Sequence, residues 1–151
     1  QLKVFPAMLT FVIPVYNEGG NILRTLMALD RDLTTPSRIL ICYDREDDDT
    51  LPAIDANRDK LTAHAVEFVR NRSRGAHAAV MTGFAHSTAP AILMYPADDD
   101  YNAGMLDQMV EKAEQGCDIV CASRSNRLNA PGTSPSCLFA PGAAPRRTMP
   151  A

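Results

Sequence analysis

Apolar and polar positions follow two rhythms along this chain. Runs that are apolar almost throughout, MLTFVIP (8–14), RILICY (38–43), AVEFV (65–69), AILMY (91–95) and DIVCAS (118–123), read as strands covered on both faces. Between them, apolar residues recur every three or four positions. GGNILRTLMALDRDL puts Ile22, Leu26, Leu29 and Leu33 on one helical stripe. TLPAIDANRDKL is a weaker helix, with Thr50 as N-cap and Pro52 in its first turn. RGAHAAVMTGFAHS turns Ala76, Ala79, Val80, Gly83 and Phe84 inward, and its small residues permit close packing on a sheet. NAGMLDQMVEKAEQ is the last helical segment. Strand and helix in alternation predict βαβ units, hence an α/β fold with a mostly parallel sheet between helical layers. After Arg124 the rhythm stops, and residues 125–151 hold five prolines without periodicity. The expected organisation is therefore a domain over 1–124 and a Pro-rich irregular tail over 125–151.

Composition changes this picture little. The 151 residues are 46% apolar and 22% charged, enough for one domain with a real core. A net charge of −3 argues against a nucleic-acid binder held by general electrostatics. No segment reaches the ~18 apolar residues of a membrane span. The four cysteines, Cys42, Cys117, Cys121 and Cys137, form no CxxC pair and are expected as buried free thiols in a reducing, cytoplasmic setting. His64, His77 and His86 lie far apart with no partner at ligand spacing, which speaks against a histidine metal site.

Charge distribution changes it more. Asp44, Glu46, Asp47, Asp48 and Asp49 follow the second strand, and Asp98, Asp99 and Asp100 follow the fourth, together 8 of the 18 acids. Adjacent carboxylates repel one another, so water or a cation must make them tolerable. In an open parallel sheet, ligands bind beyond the C-terminal strand ends, where the strand order reverses. PVYNEGGN, DREDDDT and PADDDYN all stand at such ends. No GxGxxG and no Walker loop is present to cradle phosphate with backbone N–H groups. Acids in those places reach phosphate through a divalent cation, which oxygen ligands bind well.

Four blocks, in order and at compatible spacing, resemble a known family. FVIPVYNEGGNI resembles the opening strand and loop of family 2 glycosyltransferases with the GT-A fold, in the branch of dolichyl-phosphate mannose and glucose synthases. ILICYDREDDDT stands where that branch has VVDDGSxDGT, and RNRSRGAHAAVMTGF resembles its Asn- and Gly-bearing third helix. ILMYPADDDYNAGMLDQMVEKAEQGCDIVCASR resembles its block from DxD to GSR. The resemblance covers roughly residues 8 to 124. It implies a GT-A three-layer sandwich, incomplete at the C-terminus.

The resemblance also implies roles. Pro14, Tyr16 and Glu18 match the donor-nucleotide loop. Asp44 matches the second Asp of the DDG element, which helps hold the nucleoside, while Tyr43 replaces the first; Asp48 matches the later Asp. Arg74 and Gly75 match the basic-Gly start of the third helix, suited to a diphosphate. Ala97 and Asp98 fall in the DxD signature, whose second Asp, here Asp98, binds Mg²⁺ or Mn²⁺ on the donor diphosphate. Pro96 replaces the first Asp, and Asp100 is spaced to restore a carboxylate pair, with Asp99 in reserve.

The implied activity is inverting, metal-assisted transfer from a UDP- or GDP-sugar to an acceptor such as a polyprenyl phosphate, cytoplasmic or peripheral at the inner membrane face. No catalytic base is identified. Two alternatives stand beside it: a donor-binding remnant without transfer activity, and a metal-dependent nucleotidyltransferase, which the lack of a Gly-rich loop after strand one disfavours.

Overall fold

The computed structural model of the protein describes residues 9–122 and 135–137. The chain gathers into two compact units, Gln1–Leu106 and Asp107–Ala151. The boundary expected after Arg124 lies outside the described residues.

The first unit holds a four-stranded, all-parallel sheet: β1 (Leu9–Pro14), β2 (Ser37–Tyr43), β3 (Ala65–Arg70) and β4 (Ala91–Met94), in the order β3-β2-β1-β4. Helices α1 (Ile22–Asp32), α2 (Thr50–Asp55) and α3 (Ala76–His86) make the crossovers, and a short 3₁₀ turn spans Arg58–Lys60. β2 lies on one side of β1 and β4 on the other, so the strand order reverses between β1 and β4.

The two central strands behave as their apolar runs require. Phe11, Val12 and Ile13 of β1 and Ile39, Leu40, Ile41 and Cys42 of β2 are fully buried. Ile22, Leu26, Leu29 and Leu33 are buried along α1 and just beyond it, as the stripe predicts. On α3 the buried residues are Ala79, Thr82 and Gly83, whereas Ala76 and Phe84 are exposed, which corrects the expected inward set. Close approach is why Gly83 is glycine: a Cβ there would stand 2.3 Å from a Val12 methyl. Val12, Leu40, Cys42, Val69 and Ala79 form one cluster between α3 and the sheet.

β3 and β4 depart from the expectation of cover on both faces. They are the outer strands, and their residues alternate in exposure. Glu67 spends its outward place on an ion pair with Arg38 across the sheet (Arg38 Nε to Oε1, 2.7 Å). Ile92 and Met94 of β4 are exposed apolar residues.

The second unit contains most of α4 (Leu106–Glu114), then β5 (Val120–Ala122) paired antiparallel with β6 (Pro135–Cys137). The fifth apolar run is thus a strand, but of a separate two-stranded sheet. Its partner lies in the stretch expected to be irregular, with proline at the first strand position, where it costs least. The rest of the expected tail lies outside the described residues. Cys42 is a buried free thiol, pushed up to about 11 by burial, but Cys121 is exposed and Cys117 is held in a disulfide, so the expectation of buried free thiols holds for Cys42 and fails for these two. Cys137 lies in the described strand β6. Among the described residues no helix is long and apolar enough to cross a membrane.

Candidate functional site at the C-terminal strand ends

Because β1 to β4 are parallel, the segments that follow them leave the same edge of the sheet: 15–21 after β1, 44–49 after β2, 71–75 after β3 and 95–102 after β4. Pro14, Tyr16, Glu18, Asp44, Asp48, Arg74, Ala97, Asp98 and Asp100 all belong to that edge, and all lie in the first unit. The segments that flank the reversal point are those after β1 and β4, which carry Tyr16 and Asp98.

The acids of this edge do different things. Asp48 is 3% exposed and receives two backbone N–H groups: Asn17 on Oδ2 at 3.1 Å and Thr50 on Oδ1 at 2.9 Å. The next two backbone donors of the β1 loop are received next door, Glu18 N by the Thr50 hydroxyl at 2.9 Å and Gly19 N by Asp49 Oδ1 at 2.8 Å. Three consecutive N–H groups of one loop are thus clasped by three consecutive side chains of another. Local geometry shows the tightness. Asn17 sits at φ 54, the only non-glycine at positive φ among the described residues, and a Cβ on Gly19 would come within 2.8 Å of the Asp49 carbonyl oxygen. Asp48, which the resemblance sets at the nucleotide, has both carboxylate oxygens on backbone N–H groups. Thr50 is the first residue of α2 and Asp49 its N-cap position, so the expected cap shifts by one residue.

Asp44 is also held at both oxygens, and it is half-buried. Its Oδ1 receives Asn71 Nδ2 at 2.6 Å and its Oδ2 the Gly75 backbone N–H at 2.9 Å. These bonds, with Arg74 nearby, hold its carboxyl below its ordinary value of 3.8, the Asn71 bond first. Asp47 pairs with Arg45 and Glu46 with Arg70, both on exposed side chains. Glu18 receives Asn21 Nδ2 at 2.9 Å, and its carbonyl starts α1. Tyr16 is 63% exposed, and Arg74 is exposed.

The β4 loop is anchored through its backbone. The buried Thr25 hydroxyl of α1 donates to the Ala97 carbonyl at 2.8 Å, and the Tyr95 N–H continues the β1 ladder to Val12 O at 3.0 Å. Tyr95 is buried edge-on to Phe11 at 5.7 Å, and its hydroxyl donates to the Asp99 carbonyl at 3.0 Å; burial pushes its phenol up. Asp99 turns its carboxylate onto its own loop, receiving Tyr101 N, Asn102 N and Asn102 Nδ2. Asp100 faces Arg24 at 3.9 Å, a loose pair. Asp98 is exposed and has no hydrogen bond or ion pair among the described residues. No group of three or more His, Cys, Asp or Glu side chains suited to hold a metal exists among the described residues. A cation here would take one or two carboxylates from the chain and complete its shell with other oxygens, a pattern that suits Mg²⁺.

Sequence reasoning missed the residues that build this edge. Thr25, Asp49 and Thr50 stand at helix and loop positions that nothing in the sequence marks for this work. Asn71 alone had a signal: it opens the block that resembles the family's Asn- and Gly-bearing helix, and it stands one residue past a strand end, as Asp44 does.

A family model described as glycosyl transferase family 2 matches residues 10–142. Curated relatives include the undecaprenyl-phosphate 4-deoxy-4-formamido-L-arabinose transferases of Klebsiella pneumoniae (strain 342), 34% identical over 122 residues, and of Sodalis glossinidius, 32% identical over 124 residues. These alignments cover 79% and 80% of this chain but only 37% and 38% of the relatives, so the chain spans little more than a third of their length. Among solved structures, residues 1–349 of Staphylococcus aureus TarS in complex with UDP match with a TM-score of 0.61 at 18% identity, over 82% of this chain and 38% of that one. This likeness is one of fold, the GT-A arrangement. The sheet order, the loops gathered at its C-terminal edge and the match over most of the chain agree: the chain belongs to glycosyl transferase family 2.

Proposed function

We propose that this chain binds the nucleoside-diphosphate sugar donor of an inverting glycosyltransferase whose acceptor is a polyprenyl phosphate. The observation that carries the reading is the reversal point between β1 and β4, flanked by exposed Tyr16 on one side and unpartnered Asp98 on the other. Asp44 supplies a fixed, charged acceptor for the base. Arg74, exposed at the start of α3, suits the diphosphate, although the Gly75 N–H there is taken by Asp44. Asp98, with Asp100 when it leaves Arg24, would hold Mg²⁺ or Mn²⁺. Such a cation, when bound, would neutralise charge building on the leaving diphosphate. The names of the relatives support an undecaprenyl-type acceptor, and a fold neighbour in complex with UDP is compatible with a nucleotide donor. A phosphate acceptor is already an anion and needs no strong base. With an acceptor of that kind, the protein would work peripherally at a membrane face.

The test pairs binding with transfer. Titration of UDP, GDP, CDP and ADP in Mn²⁺ should show one preferred diphosphate. Incubation with labelled UDP-sugars and undecaprenyl phosphate in detergent should give a lipid-linked sugar. Binding without a lipid product would favour the donor-binding reading without transfer. Released pyrophosphate would favour nucleotidyl transfer, and no nucleotide binding would overturn the donor site.

A further inference from the structure

We propose that Asn71 is the positioning residue of Asp44 and thereby sets which base the site accepts, an inference that rests on the donor-site reading above. Asn71 follows the last residue of β3, and its backbone N–H donates to Tyr43 O at 2.8 Å, adding one rung to the β2–β3 ladder. Its side chain therefore leaves from a fixed point. Nδ2 donates to Asp44 Oδ1 at 2.6 Å, while the other end of the amide, Oδ1, is buried and accepts nothing among the described residues. The amide orientation follows from its partner, because the reverse would set an oxygen against a carboxylate.

This is a poor bargain for stability alone. A bare buried acceptor costs about as much as one charge-assisted hydrogen bond contributes. What Asn71 does achieve is confinement of Asp44. With Gly75 N–H on the other oxygen, both ends of the carboxylate are held and the ionised form is favoured. Other charged groups around it are Arg74, on the same loop as Gly75, and the neighbours on its own loop. Of these, Arg45 is paired with Asp47 and Glu46 with Arg70, and the Tyr43 hydroxyl points to Glu46 at 3.4 Å. Asn71 is thus the strongest single hold on the charge of Asp44.

A carboxylate that is fixed, ionised and acceptor-only selects by chemistry. Uracil and guanine present a ring N–H on their pairing edge; cytosine and adenine present a bare ring nitrogen there. The first pair would be accepted and the second rejected by two facing acceptors. Loosening Asn71 lets Asp44 turn or take a proton, and a protonated carboxyl can donate to the very bases the charged form rejects.

Two variants test this, Asn71→Ala and Asn71→Asp. The Asp44 carboxyl carbon is titrated by NMR without nucleotide, and UDP and CDP binding is measured by calorimetry between pH 4 and 8. Asn71→Ala should raise the Asp44 midpoint, and Asn71→Asp should raise it further by placing a like charge beside it. UDP affinity should fall by about tenfold, the usual scale for one lost charged hydrogen bond. The UDP-over-CDP ratio should contract, and the acid limb of UDP binding should move to higher pH, while the melting midpoint of Asn71→Ala changes little. An unmoved Asp44 midpoint, or an unchanged UDP-to-CDP ratio, would overturn the proposal and leave Asn71 a structural residue. Wild-type protein that binds neither nucleotide would overturn the donor-site reading instead, while the Asp44 titration would still decide the positioning role.

Discussion

The loops after β1, β2 and β3 and the loop after β4 occupy the same edge of the sheet, yet they handle charge in opposite ways. In the first group nearly every carboxylate has work inside the fold. Asp48 and Asp49 clasp the backbone of the β1 loop, Asp44 is locked by Asn71 and Gly75, and Glu46 and Asp47 each have an arginine. In the β4 loop the backbone is anchored through Thr25 and Tyr95, but Asp98 is left exposed and unpartnered and Asp100 only loosely paired. A run of aspartates is therefore not one feature. Position within the run decides whether a carboxylate is structural or available.

The strongest way to break this contrast is at its buried end. Asp48→Ala leaves the buried N–H of Thr50 and the part-buried N–H of Asn17 without their acceptor and should cost about 2 kcal/mol, given the usual penalty for an unsatisfied buried donor. Urea melts would show it as a lower midpoint with little change in slope. A loss near zero would mean that the clasp is ornamental. Asp99→Ala should cost less, about 1 kcal/mol, because its partners are local and half exposed. The same melts would rank the two. An Asp99 loss equal to that of Asp48 would erase the distinction between a clasp across 31 residues and a local turn.

A subtler effect should come with pH. The Asp44 carboxyl is held below its ordinary value, so its bonds stabilise the fold above the unfolded carboxylate range. That contribution should fade as pH falls through the lower, folded value. Melting midpoints from pH 6 down to pH 2 should therefore drop less steeply in Asn71→Ala than in the wild type. Equal slopes would mean that the Asp44 bonds are already weak in solution.

How much of this was legible in sequence depends on whether a residue's partner is near it in the chain. β1, β2 and the α1 stripe were readable, because continuous burial and helical burial leave a periodic mark. The exposure of Ile92 and Met94 was not, since an apolar residue on an edge strand looks the same in sequence as one in a central strand. β5 was found as a strand, but its partner at 135–137 was not, because an apolar run does not say what it pairs with. The site edge was legible as positions after strand ends, and the family resemblance gave Tyr16, Asp44 and Asp98 their expected places. The task of Asp48 was hidden: a carboxylate that grips backbone 31 residues away carries the same letter as one that grips a ligand.

Asp98 is the exposed, unpartnered carboxylate of this edge among the described residues, and we propose that it serves a metal-bound diphosphate. Calorimetric titration of UDP into wild type and Asp98→Asn, each with Mn²⁺ and with chelator, tests it most directly. The wild type should bind more tightly with Mn²⁺. Asp98→Asn should lose that increment, about 2 kcal/mol on the scale of one removed charged partner, with its melting midpoint unchanged. Equal Mn²⁺ dependence in the two proteins would contradict the account and return Asp98 to an ordinary hydrated side chain.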